Sequence, residues 1–92
     1  MMSNGQPYQL RLTNSAERQL ERLDQAAAKQ IMKKLLKWAE RAEAVQHEAL
    51  TGQWSGLYRV RIGDYRAIYD LKRNERIVLV VKIGHRREIY DD

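Results

Sequence analysis

Hydrophobic and polar residues change their period twice along this chain. In "YQLRL" (8–12), Tyr8, Leu10 and Leu12 alternate with polar residues, the period-two pattern of a short strand. "TNSAERQLERL" (13–23) shifts to a helical period. Ala16, Leu20 and Leu23 share one face, Thr13, Asn14 or Ser15 offers an N-cap, and Glu17 falls in the first turn. Asp24 offers a second cap. "AAAKQIMKKLLKWAERAEA" (26–44) is the stronger helix. Its apolar stripe is Ala28, Ile31, Leu35, Trp38 and Ala42, with Lys29, Lys33, Lys34, Lys37 and Arg41 largely off it. The tight join at 24–26 predicts a helical hairpin.

"VQHEALTGQWSG" (45–56) reads as a connecting loop, with Gly52 and Gly56 as breakers. Period two then returns. "LYRVRI" (57–62) puts Tyr58, Val60 and Ile62 on one face and Arg59 and Arg61 on the other. "GD" (63–64) signals a turn, "YRAIYDL" (65–71) a returning strand, and "KRNER" (72–76) a second turn. "IVLVVKI" (77–83) is apolar on both faces until Lys82, so it reads as a central strand that Gly84 ends. The order β-α-α-β-β-β predicts an α+β sandwich, a helical hairpin packed on one face of a mainly antiparallel four-stranded sheet. The other face is left open. Residues 1–7 are expected to be mobile, and 8–92 to form a single domain.

Composition narrows the chemistry. Ninety-two residues hold one modest core. The absence of cysteine removes disulfides and thiolate metal sites. Two histidines, His47 and His85, without a paired carboxylate motif argue against a metal site, and no cofactor is expected. The longest aliphatic run, Ile77 to Val81, is too short to span a bilayer. The N-terminus lacks a basic region followed by an apolar stretch, so the expectation is a cytoplasmic protein without a signal peptide or a membrane partner. Seventeen lysines and arginines against twelve acids give a net charge of +5. A small basic domain suggests a polyanionic partner, with RNA or DNA foremost.

The arginines cluster by placement. Arg59 and Arg61 project the same way, about 7 Å apart along their strand. Arg66 follows the tight turn and can join them. Such a group repels itself unless carboxylates such as Asp64, Asp70 or Glu88 pair with it, or an anion bridges it. Arginine forks suit phosphate. The closing "IGHRREIYDD" (83–92) adds His85, Arg86, Arg87 and Tyr90. Its strand end is expected to aim His85, Arg86 and Tyr90 at the arginine face, where Tyr90 can stack on a base. No Ser-His-Asp arrangement, phosphate-binding glycine loop or pair of catalytic carboxylates is evident. Arg, His, Lys and Tyr suit RNA cleavage, because the 2′-OH supplies the nucleophile and the protein supplies protons and cations.

"GLYRVRIGDYRAIYDL" and "IVLVVKIGHRREIYDD", preceded by a strand and helical hairpin, resemble the RelE branch of the RelE/ParE toxin superfamily. The likeness covers the chain from about Tyr8 onward. It implies the toxin of a type II toxin–antitoxin pair, which enters the ribosomal A site and cuts mRNA without metal by 2′-OH attack. The products would be a 2′,3′-cyclic phosphate and a 5′-OH. By resemblance, Arg59 and Arg61 are the basic pair after the loop. Arg61 and Arg66 would hold phosphate, Arg86 would aid the transition state or leaving group, and Tyr90 would orient or stack on a base. Some members carry lysines where this chain has Arg59 and Arg61. Arginine cannot act as a base there, so His85 or Tyr90 is expected to move the proton. The implied partners are mRNA, the ribosome and a cognate antitoxin whose acidic segment covers the arginine face. Members with a C-terminal helix offer the antitoxin one more element to displace, which is not expected here.

Two other readings fit the same fold. One is a ParE-like DNA gyrase inhibitor, which would need neither Tyr90 nor the Arg59/Arg61 pair. The other is a non-catalytic RNA- or ribosome-binding module.

Overall fold

The structure is a computed structural model that describes residues 7–89. Strand β1 (Gln9–Leu12) leads into helix α1 (Asn14–Glu21) and helix α2 (Gln25–Glu40). Strands β2 (Glu48–Ala49), β3 (Tyr58–Ile62), β4 (Tyr65–Lys72) and β5 (Ile77–His85) follow, with a 3-10 turn at Gly52–Trp54. The strands form one sheet in the order β1-β5-β4-β3-β2. Among the described residues, only the β1–β5 pairing is parallel. The α+β class and the helical hairpin agree with the sequence reading, but the sheet has five strands rather than four. The extra strand, β2, is two residues inside the expected loop, too short to show a period. Apart from Pro7, the stretch expected to be mobile lies outside the described residues, as does Tyr90.

Local chemistry sets the helix ends. The Thr13 hydroxyl accepts from the Ala16 N–H at 3.1 Å, and the Asp24 carboxylate accepts from the Ala27 N–H at 2.7 Å. Each satisfies a donor that the helix leaves without a partner. The core-facing stripe of α2 is Ala27, Ile31, Leu35 and Ala39, rotated slightly from the expected one. Trp38 lies at its edge, because its indole reaches for a polar partner on the sheet. These residues pack on Val60, Ile62, Ala67, Tyr69, Leu71, Val78, Val80 and Ile83, and that layer is the core.

A β-bulge decides which way the end of β5 faces. Ile68 pairs with Lys82, but the next residue, Tyr69, pairs with Val80, so Val81 is the extra residue on β5. Val78 and Val80 point to the helices, and beyond the bulge so does Ile83. Unbroken alternation would have turned Lys82 and Gly84 into the core instead.

A polar chain ties α2 to the sheet. The Trp38 indole N–H donates to the Tyr69 hydroxyl at 2.9 Å, and that hydroxyl donates to His47 Nδ1 at 2.5 Å. His47 Nε2–H donates to the Ala42 carbonyl at 2.8 Å, a tautomer assigned from these partners. Tyr69 is fully buried. Burial pushes its hydroxyl up to about 12, against a smaller opposing pull from the Trp38 donor. His47 is therefore a structural residue that anchors the segment carrying β2.

Candidate functional site

The sheet face away from the helices is organised in cross-strand rows. One row runs Glu48, Arg59, Ile68, Lys82 from β2 to β5. The next runs Arg61, Arg66, Gly84. The first row is covered. Ile68 is 1% exposed and Arg59 7%, although α1 and α2 pack on the opposite side. Lys82 Nζ sits 5.6 Å from the Trp54 ring centre, so the segment before β3 folds back across the row. The sequence leaves this face open, because nothing in a loop's pattern tells which surface it will lie on.

This cover separates the two arginines that the sequence groups together. Arg59 lies in the covered row, and its guanidinium pairs with the Glu48 carboxylate on β2. Arg61 is exposed and forms no ion pair among the described residues. Arg59 is thus a buried, paired residue rather than half of an open phosphate clamp. Glu48 is the partner that sequence reasoning misses, since it stands eleven positions away in an apparent loop.

Arg61 and Arg66 are direct cross-strand partners. Their Cβ atoms are thus about 5 Å apart, where like charges oppose each other. The turn fixes Arg66: its Nη1 donates to the Gly63 carbonyl at 3.2 Å and to the Tyr65 carbonyl at 3.0 Å. Gly63 makes this possible with φ +59°, a conformation that favours glycine. Arg66 Nε is buried with no hydrogen-bond partner among the described residues. The pair can therefore gain by binding an anion that balances both charges.

Arg86 belongs to the same end of the sheet. Its backbone N–H donates to the Asp64 carbonyl at 2.8 Å, which fastens the C-terminal turn to the β3–β4 turn, and its side chain is exposed. Gly84 permits this fold-back. A Cβ there would come within 2.9 Å of Glu88 Oε1 and 3.4 Å of the Ile89 side chain. Glu88 Oε1 also accepts from the His85 N–H at 3.1 Å, so it cannot simply swing away.

His85 does not join the arginines. It pairs with Tyr65 in register and packs edge-to-face on its ring, centroids 5.7 Å apart. Tyr65 packs against the core cluster, so His85 lies on the helix side of the sheet. The bulge at Val81 is the reason, since it reverses the facing of every later residue of β5. His85 Nδ1 also accepts from the Arg87 N–H at 3.2 Å. The expectation that the strand end aims His85 at the arginine face is corrected for this residue. For Tyr90 it lies outside the described residues.

Residues 10–90 match the family model described as ParE toxin of the type II toxin–antitoxin system parDE. No curated protein matches this chain. Among solved structures, a chain of the RelBE2 toxin–antitoxin complex from Mycobacterium tuberculosis is 23% identical, with TM-score 0.79 over 87% of this chain and 92% of that one. The isolated RelE toxin of E. coli is 22% identical, with TM-score 0.70 over 85% and 83%. A YoeB/ParE toxin from Agrobacterium tumefaciens is 23% identical, with TM-score 0.66 over 84% and 96%. At this identity the structural likeness speaks for the fold, and the family match covers nearly the whole chain. The protein is a member of the ParE toxin family, a type II toxin–antitoxin toxin of the RelE/ParE superfamily.

Proposed function

We propose that this toxin is a ribosome-dependent mRNA endoribonuclease. The observation that carries the reading is the direct cross-strand pair Arg61–Arg66, with Arg66 aimed by two carbonyls and Arg86 fastened at the same end of the sheet. In this reading Arg61 and Arg66 hold the scissile phosphate. They oppose the charge that builds on its non-bridging oxygens as the 2′-OH attacks and the 5′ oxygen departs. Arg86 stabilises the leaving group. Arginine keeps its proton throughout, so these residues act as cations only. Of the two groups expected to move a proton, His85 is turned to the helix side, so in this reading the Tyr90 phenol gives its proton to the departing 5′ oxygen while the 2′-OH proton passes to solvent water. Arg59 acts indirectly, through its pairing with Glu48.

The name of the matched family favours a second reading, inhibition of DNA gyrase. Induced expression with mapping of mRNA ends separates the two. The nuclease reading expects cut transcripts from the wild type and intact ones from Arg86→Ala. Intact transcripts accompanied by DNA-damage signalling would favour the gyrase reading. Arrested translation with uncut transcripts would favour a non-catalytic ribosome binder.

A further inference from the structure

The helix side of the molecule carries a second concentration of positive charge. Lys29, Lys33, Lys37 and Arg41 recur every fourth residue along α2 and its C-cap, and all four are exposed. Four helical residues rise about 6 Å, so the row is about 18 Å long. Lys34 stands beside it, with Nζ 5.9 Å from the Trp38 ring centre. None of these five cations forms an ion pair among the described residues. Glu40 is the single carboxylate within α2. Like charges at this spacing work against a helix. The row therefore opposes the element that carries it, and burial of the opposite stripe does not require it.

The row also has a shaped feature. Lys34, Lys37 and Arg41 surround a notch of about 90 Å³ against Trp38 and Val45, comparable in size to one phosphate group. Cations repeated at a fixed interval suit a polymer of regularly repeated anions better than the irregular surface of an acidic protein. Their spacing is close to that of neighbouring phosphates on one nucleic-acid strand, and nearer the compact A form than the B form. The sheet separates this ridge from Arg61 and Arg66, so the two surfaces face different segments of a ligand.

We infer that the α2 ridge is a second RNA-binding surface, which grips the sugar–phosphate backbone of double-helical RNA while Arg61 and Arg66 face the strand to be cut. The choice of RNA over DNA rests on the nuclease reading; the ridge itself does not. Contacts of this kind position the protein and read no sequence.

The test uses the purified toxin and a short fluorescent RNA duplex, titrated over a series of salt concentrations. The wild type is compared with a ridge variant, Lys29→Gln/Lys33→Gln/Lys37→Gln/Arg41→Gln, and with Arg61→Gln/Arg66→Gln. Circular dichroism and thermal melting first establish that each variant is folded. The ridge variant should bind at least about tenfold more weakly and lose about 3.6 from the slope of log affinity against log salt. The Arg61/Arg66 variant should keep duplex affinity within about twofold. A folded ridge variant that binds like wild type overturns the inference, even if mRNA is cut. A ridge-dependent loss supports it, even if mRNA is left whole. A DNA duplex of the same sequence bound as tightly as the RNA overturns the choice of RNA.

Discussion

At the scale of single residues, Arg59 and Arg61 are two positions apart, share a strand face, and have different surroundings. Arg61 is exposed beside Arg66, whereas Arg59 is under cover and paired with Glu48. The alternation of "YRVRI" makes their common direction legible. The separation depends on Glu48 and Trp54, which approach through a segment without a period of its own. Glu48 is about half exposed and Arg59 is buried, so the pair lies between a surface and a buried ion pair. We expect Glu48→Gln to lower stability by about 1–2 kcal/mol, measured by urea denaturation. A midpoint unchanged within error would remove the pair from the account of stability. Arg61→Ala, by contrast, should leave the midpoint nearly unchanged, because exposed positions contribute little.

At the scale of elements, the decisive feature is the bulge in β5. "IVLVVKI" is apolar at nearly every position, so its sequence does not reveal where the alternation breaks. The break after Val80 sends Ile83 and His85 to the helix side and leaves Gly84 beside Arg66. Hence His85→Ala should cut RNA within about threefold of wild type once corrected for folded fraction, whereas a loss of about a hundredfold or more would return His85 to the site. Gly84→Ala should displace the turn that carries Arg86, and lower the melting temperature by about 4–8 °C for each 1 kcal/mol it costs. The helix caps, by contrast, are legible, because Thr13 and Asp24 act within three residues of the N–H groups they satisfy.

The link between α2 and the sheet makes a prediction about alkaline stability. Tyr69 ionises near pH 10 in the unfolded chain but at about 12 in the folded one. The native state thus holds this proton longer, and the unfolded state gains from losing it first. Stability from this group is complete below about pH 10 and declines as pH rises toward 12. The wild type should therefore lose stability more steeply across that window than Tyr69→Phe, followed by chemical denaturation at each pH. Parallel declines would show that Tyr69 does not govern the alkaline limb. At neutral pH, Tyr69→Phe should cost about 1–3 kcal/mol, because it leaves His47 Nδ1 without its donor.

At the scale of the whole molecule, element order indicates the α+β class that the structure has, and the net charge of +5 makes the protein basic. What composition leaves open is the distribution of charge over two opposed surfaces. One is a confined arginine pair at the β3–β4 turn, and the other a lysine row along α2. No helix among the described residues is long and apolar enough to cross a membrane. Both surfaces suit a protein that works between two polyanionic segments. Whether Arg61 and Arg66 act on the phosphate of ribosome-bound mRNA is measured with purified toxin and programmed ribosomes. We predict cleavage in the A site that leaves a 2′,3′-cyclic phosphate and a 5′-OH, with Arg66→Ala slower by about 10²–10³-fold at equal folded concentration. Intact mRNA with the wild type, or cleavage by folded Arg66→Ala at the wild-type rate, would contradict it.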